Sequence, residues 1–268
     1  MTELPELQID ERLFRPIVFR GSTKRVLDQG FVKLVDWMGG DDAIVQAARA
    51  SEGEGIKTAK EDKRLIGYLM KNRHTSPFEM VEFKFHVAAP IFVFRQWHRH
   101  RTWSYNEISA RYTEMADKHY AADPARMTTQ DAKNHQASTT LPVADAEEAA
   151  ALLNMAHEVT YSIYETLLGM GVNRETARRA LTFDLYSEMY AKVDLHNLLG
   201  FLALRTDSHA QQEIREYANA MLELIQPVVP WAIEAWEKNR DTWREYETWR
   251  LSMTETKSSS SGKRVKRK

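Results

Sequence analysis

The chain has 268 residues, enough for one large domain or two small ones with a real core. Its 37 Lys+Arg against 38 Asp+Glu leave a net charge of −1, which excludes a general draw to nucleic acid or membrane, so any basic function is local. Cysteine is absent, which removes disulfide scaffolds, thiolate metal sites and cysteine nucleophiles.

The acidic N-terminus MTELPELQIDERLF lacks the plan of a signal peptide, and no apolar run spans a bilayer. A cytoplasmic protein with no membrane partner is expected. In chain order, Gly30 to Met38 reads as a strand, broken by GGDD, where Asp41 or Asp42 caps a helix through about Ser51. SEGEGIKTAK reads as loop, and Glu61 to Asn72 as helix. Val81 to Val87 alternates as a half-buried strand does, and Pro90 starts a helix through IFVF. Residues from about Thr113 to Leu141 read as a long loop, and Ala144 to Met170 as a long helix. Asn173 caps a short helix, NRETARRAL, and Asp184 to Val193 reads as a strand. Leu195 to Leu204, Gln211 to Ile225 and a Trp-rich Trp231 to Trp249 follow as helices. The predicted class is α+β in a single domain over residues 1–250, with a disordered basic tail over 251–268. No internal repeat, GxGxxG or P-loop is present.

The chemistry concentrates in RQWHRHRTWSYNEISARY, Arg95 to Tyr112. Four readings compete: a solvated basic helix face, a metal site, a nucleic-acid patch and an anion-binding active site. On a helix starting near Pro90, Gln96, Arg99 and His100 share a face, and Arg95 and Arg99 stack one turn apart, which repels unless an anion lies between. Their planar forks suit phosphate. Ser109 and Arg111 add a second anion site. A metal at His98 and His100 is disfavoured, because two residues apart on a helix they point roughly 200° apart. Single-stranded nucleic acid would stack on Trp97, Trp103 and Tyr105, but the folded part offers no second basic patch. The tryptophans read better as packing.

Arg99 to Arg111, RHRTWSYNEISAR, matches each fixed position of RHRxxSxNExSxR and so resembles the flavin-dependent thymidylate synthases. HTSPFE (His74 to Glu79) and LRTDSHAQQEIR (Leu204 to Arg215) are similar to further motifs of that family. The resemblance implies a central, mostly antiparallel sheet flanked by helices, with a long helical C-terminal half, in a homotetramer with active sites between subunits. It implies methylation of dUMP to dTMP, with 5,10-methylenetetrahydrofolate as carbon donor, FAD as cofactor and NADPH as reductant, and no specific nucleic-acid partner. The absence of cysteine agrees, since this chemistry uses no cysteine attack on uracil.

By the same resemblance, Gln96, Trp97, His98, Arg99, Glu107, Ile108, Ser109, Ala110, Arg111, Arg178 and Arg205 hold dUMP. Arg205 acts as the catalytic group that favours the ionised uracil. Ser76, Arg99, His100, Arg101, Glu107, Asp194, Leu195, His196 and Gly200 contact FAD. Ser109 is implied as a phosphate ligand, not a nucleophile. An intramolecular ion pair, to Glu175 or Asp207 for example, is the bland alternative for Arg178 and Arg205. No metal is implied.

Overall fold

The computed structural model describes residues 19–50, 58–132 and 138–260, with side chains of the last segment described to residue 253. The N-terminal stretch, the loop expected at 51–57 and the KRVKRK end lie outside the described residues. The strands are β1 (Thr23–Val26), β2 (Gly30–Met38), β3 (Glu82–Pro90), β4 (Ser104–Glu107), β5 (Thr128–Gln130), β6 (Ser138–Pro142) and β7 (Tyr186–Asp194). The helices are α1 (Asp41–Ala50), α2 (Ala59–Lys71), α3 (Ile91–Trp97), α4 (Ala146–Gly169), α5 (Arg174–Ala177), α6 (Leu195–Arg205), α7 (Gln212–Ile225), α8 (Pro230–Lys238) and α9 (Arg240–Ser260).

Five strands form one antiparallel sheet in the order β1-β2-β3-β7-β4. The alternation read in β3 is real: Phe83, Phe85 and Val87 are buried while Lys84 is exposed. The strand then runs on to Pro90 with both faces covered, as a central strand allows. β7 sits between β3 and β4 and pairs with both, Glu82 facing Asp194 and Glu107 facing Met189. α6 is the innermost helix, with Leu195 and Leu198 to Ala203 buried. It packs on α7, α9 and the turn at Phe78–Met80. At Gly200 an added Cβ would stand 2.8 Å from the Glu247 side chain of α9, which would have to shift to admit it.

Several expectations are corrected. The segment from Thr113 to Leu141 is not all loop, because β5 and β6 pair as a small antiparallel ribbon. Neither strand buries a residue, so no hydrophobic signal marked them. Asp41 does not simply cap its own helix: its carboxylate accepts from the backbone N–H groups of Trp231 and Ala232 at the start of α8. The Trp-rich helix is two, divided at Asn239, whose side chain donates back to the Ala235 carbonyl. α9 also continues past the boundary expected at 250, as far as Ser260. Elsewhere the local signals hold: Thr58 and Glu61 form a reciprocal capping box on α2, and Asn173 caps α5.

Candidate active site

The predicted helix face through Arg99 and His100 does not form, since α3 ends at Trp97. Its last carbonyls are taken by other donors. Arg205 donates to the Gln96 oxygen (3.4 Å), and the Tyr105 hydroxyl reaches the oxygens of Trp97 (3.2 Å) and His100 (3.0 Å). Residues 98–100 close instead through tighter bonds, Arg99 N–H to Gln96 and His100 N–H to Trp97. This turn directs Arg99 outward and His100 inward, the latter only 2% exposed. His98, the helix cap, is half-buried against Tyr105 (4.7 Å between centroids), and burial lowers its pKa. Trp97 and Trp103 are buried and pack edge-on at 5.8 Å, so they offer no stacking platform for bases.

Arg205 arrives from the end of α6. Its Nε–H donates to His100 Nε2 at 3.1 Å. Burial and the neighbouring Arg99 charge both lower its pKa. No carboxylate among the described residues pairs with it; Asp207 is engaged by His209 and Arg244, and Glu175 by Arg111. A guanidinium carries five donors. Two are spent here on neutral acceptors, so its charge is left uncompensated. His100 can serve as such an acceptor because its pKa is pushed down to about 3, chiefly by burial and then by the charges of Arg205 and Arg250. The Gln96 side-chain amide donates to Gln211 just ahead of α7, a contact without sequence signal. Tyr105, read from the sequence as a base-stacking candidate, instead stacks on Trp103 and bonds the turn, as its alternation with Trp103 suggests.

Glu107, Ile108, Ser109, Ala110 and Arg111 follow at and beyond the other end of β4. Ser187 of β7 donates to the Glu107 carboxylate at 2.8 Å. Ser109 Oγ accepts the Arg111 backbone N–H, which makes it a turn-former. Arg111 pairs with Glu175 at 2.9 Å, both more than half exposed. Arg178 is exposed just past the end of α5, with no ion pair among the described residues.

The remaining predicted residues gather at the opposite end of β7. Ser76 is exposed in the turn before Phe78. Asp194 caps α6 by accepting from the Asn197 N–H, and the Leu195 side chain is buried. The slot over Gly200 is filled by Glu247. The His196 ring lies edge-on to Trp243, and its Nδ1 is a buried polar atom without a partner. Arg101 is exposed. Glu107 faces Met189 and Asp194 lies five residues on, so roughly 17 Å separates these two groups along one chain.

One His/Asp group elsewhere, Asp117, His119 and His157, brings potential metal-ligand atoms together. The two rings stack at 3.8 Å with 21° between their planes, so their in-plane lone pairs do not converge on one point. His157 is already bonded to Asp117. A large cleft of about 1190 Å³ lies between α4, the β5–β6 ribbon and the start of α7, and Gln211 is on its wall.

The family profile of thymidylate synthase complementing proteins matches residues 33–231. The chain is 55% identical over 214 residues to a flavin-dependent thymidylate synthase of Thermus thermophilus, covering 80% of this chain and 78% of that one. It is 45% identical over 246 residues to one of Rickettsia conorii, covering 87% and 81%. Among solved structures, it is similar to a UMP/dUMP methylase, PolB from Streptomyces cacaoi, bound with 5-Br dUMP. There the TM-score is 0.73 and the identity 35%, covering 80% of this chain and 97% of that one.

Proposed function

The chain belongs to the flavin-dependent thymidylate synthase family, and on that premise we propose that it methylates dUMP to dTMP. In this reading 5,10-methylenetetrahydrofolate supplies the carbon and NADPH the reducing equivalents. FAD, when bound, relays hydride between the reductant and the transferred carbon. The observation that carries the reading is Arg205, a mostly buried guanidinium held by two neutral acceptors and, among the described residues, by no carboxylate. Such a cation stabilises an anion that forms beside it, and a uracil ring losing its N3 proton is one. Arg99, its neighbour, adds charge at the same place.

The residues fit a flavin nucleotide. The partnerless Nδ1 of His196 offers a buried polar contact, and the exposed forks of Arg99 and Arg101 suit a pyrophosphate. Asp194 and Gly200 are committed to the helix cap and to Glu247, so contacts there run through the backbone. Ser109, Arg111 and Arg178 serve the dUMP phosphate, with Glu107 fixed by Ser187 beside them. Gln96, pinned by Gln211, approaches the nucleotide from the Arg205 side.

The complete site lies between chains of a homotetramer. Two facts support this: the roughly 17 Å along β7 between the two groups of ligands, and an apolar stripe on α4. There Leu152, Met155, Val159 and Ile163 fall on one helical face and are all exposed, opposite the buried His157 and Tyr164. Described helices include none long and apolar enough to cross a membrane.

The test is a spectrum and an assay. The purified protein should show flavin absorbance that NADPH bleaches, and should form dTMP from dUMP and the folate. A protein that takes up no FAD and leaves dUMP unchanged refutes the reading. Light scattering should give four chains per particle, and a monomer would refute the shared site.

A further inference from the structure

His100 belongs to the Arg-His-Arg run that the resemblance assigns to flavin contact, yet its side chain points the other way. The ring is 2% exposed and sits edge-on to Phe201 at 4.9 Å, and its Nε2 receives the Nε–H of Arg205. Building on the proposed synthase activity, we infer that His100 is a positioning residue for Arg205: a neutral acceptor that sets the guanidinium's orientation without cancelling its charge. Tyr105 belongs to the same device, because its hydroxyl spans the carbonyls of residues 97 and 100 and fixes the turn that presents the ring.

Three features lead there. First, among the described residues Arg205 has two hydrogen-bond partners, and both are uncharged: the His100 ring and the Gln96 carbonyl. A carboxylate at either place would grip it more strongly but would compensate the charge meant for the substrate. Second, burial and two neighbouring arginines keep the imidazole unprotonated, so Nε2 retains the lone pair that the bond needs. Third, the ring is wedged in the core against Phe201, which in turn stacks on Trp97 at 5.0 Å. The acceptor is thus placed by packing, and the guanidinium by the acceptor.

The experiment compares His100→Gln, which keeps an acceptor near the Nε2 position, with His100→Leu, which removes it. Flavin absorbance, dUMP dissociation constant and kcat are measured on each holoenzyme. The expected result is that His100→Leu retains bound flavin and binds dUMP within about threefold of the parent while kcat falls about ten- to a hundredfold, the size of a lost hydrogen bond to a charged group. His100→Gln should recover kcat to within about threefold of the parent. Tyr105→Phe, which leaves the core ring in place, should lower kcat by a smaller factor with flavin retained, and covers the case in which His100→Leu does not fold. The inference is overturned if His100→Leu keeps the parental kcat, if His100→Gln is as damaged as His100→Leu, if Tyr105→Phe keeps the parental kcat, or if both His100 variants purify without flavin, which would make His100 a cofactor ligand. Failure of the parent protein itself to bind flavin or methylate dUMP would be a different outcome, striking the proposed function.

Discussion

Arg205 and Arg111 are two arginines of one proposed site, and the protein treats them in opposite ways. Arg205 is mostly buried, pairs with no carboxylate among the described residues and rests on an imidazole and a peptide oxygen. Arg111 stands in water with Glu175 at 2.9 Å. An exposed pair of that kind contributes about 0–1 kcal/mol. If Arg111 takes the dUMP phosphate as proposed, displacing Glu175 would cost little. On the proposed roles, the comparison would separate a cation kept for charge that develops during reaction from one that exchanges a carboxylate for a ground-state phosphate.

Substitutions at the two positions should break in different ways if that distinction holds. Arg205→Ala is expected to lower kcat by about two to three orders of magnitude, read as dTMP formed per bound flavin; a loss in dUMP affinity alone would erase the contrast. Arg111→Ala should instead weaken dUMP by about tenfold with kcat falling less, since uniform binding is what it supplies. Titration calorimetry with dUMP checks this.

Acid should act on the buried side through His100. His100 titrates near 3 when folded against an ordinary 6.5, so between those values the unfolded chain binds more protons. Stability therefore falls as pH drops from about 6.5 towards 3, by at most about 1.4 kcal/mol per pH unit. Urea melts at stepped pH should show a shallower decline in His100→Gln. The smallest effect is expected at Glu175→Gln, which frees Arg111 and should tighten dUMP by about two- to threefold. An unchanged affinity would mean that the Glu175 pair does not compete with the phosphate.

The sheet and the helices around it were legible where one face is buried. β3 announced itself by alternation, and α6 by its unbroken apolar run. β1, β5 and β6 were not, because among them only Val26 is buried. Asp41 looked like a local cap, and nothing nearby in sequence signals a partner at Trp231. Within the site, the arginines were evident from their density, but the end of α3 was not. No Gly or Pro stops it; donors from Arg205 and Tyr105 take its last carbonyls, and both are contacts that only the folded chain creates. For the same reason the inward turn of His100 is not legible in the sequence, since its direction depends on where the helix ends.

β4 has a consequence for how the protein is made. Among the described residues its strand partner is β7, so Ser104 to Glu107 emerges from synthesis some eighty residues before Tyr186 to Asp194, the segment it pairs with. The Arg205 that locks the preceding turn comes later still. For about a hundred residues of elongation, the run richest in chemistry has neither its ladder nor its clamp, and closing such distant contacts is slow. A nascent chain stalled or cleaved before α6 would carry the whole signature sequence and have no formed site.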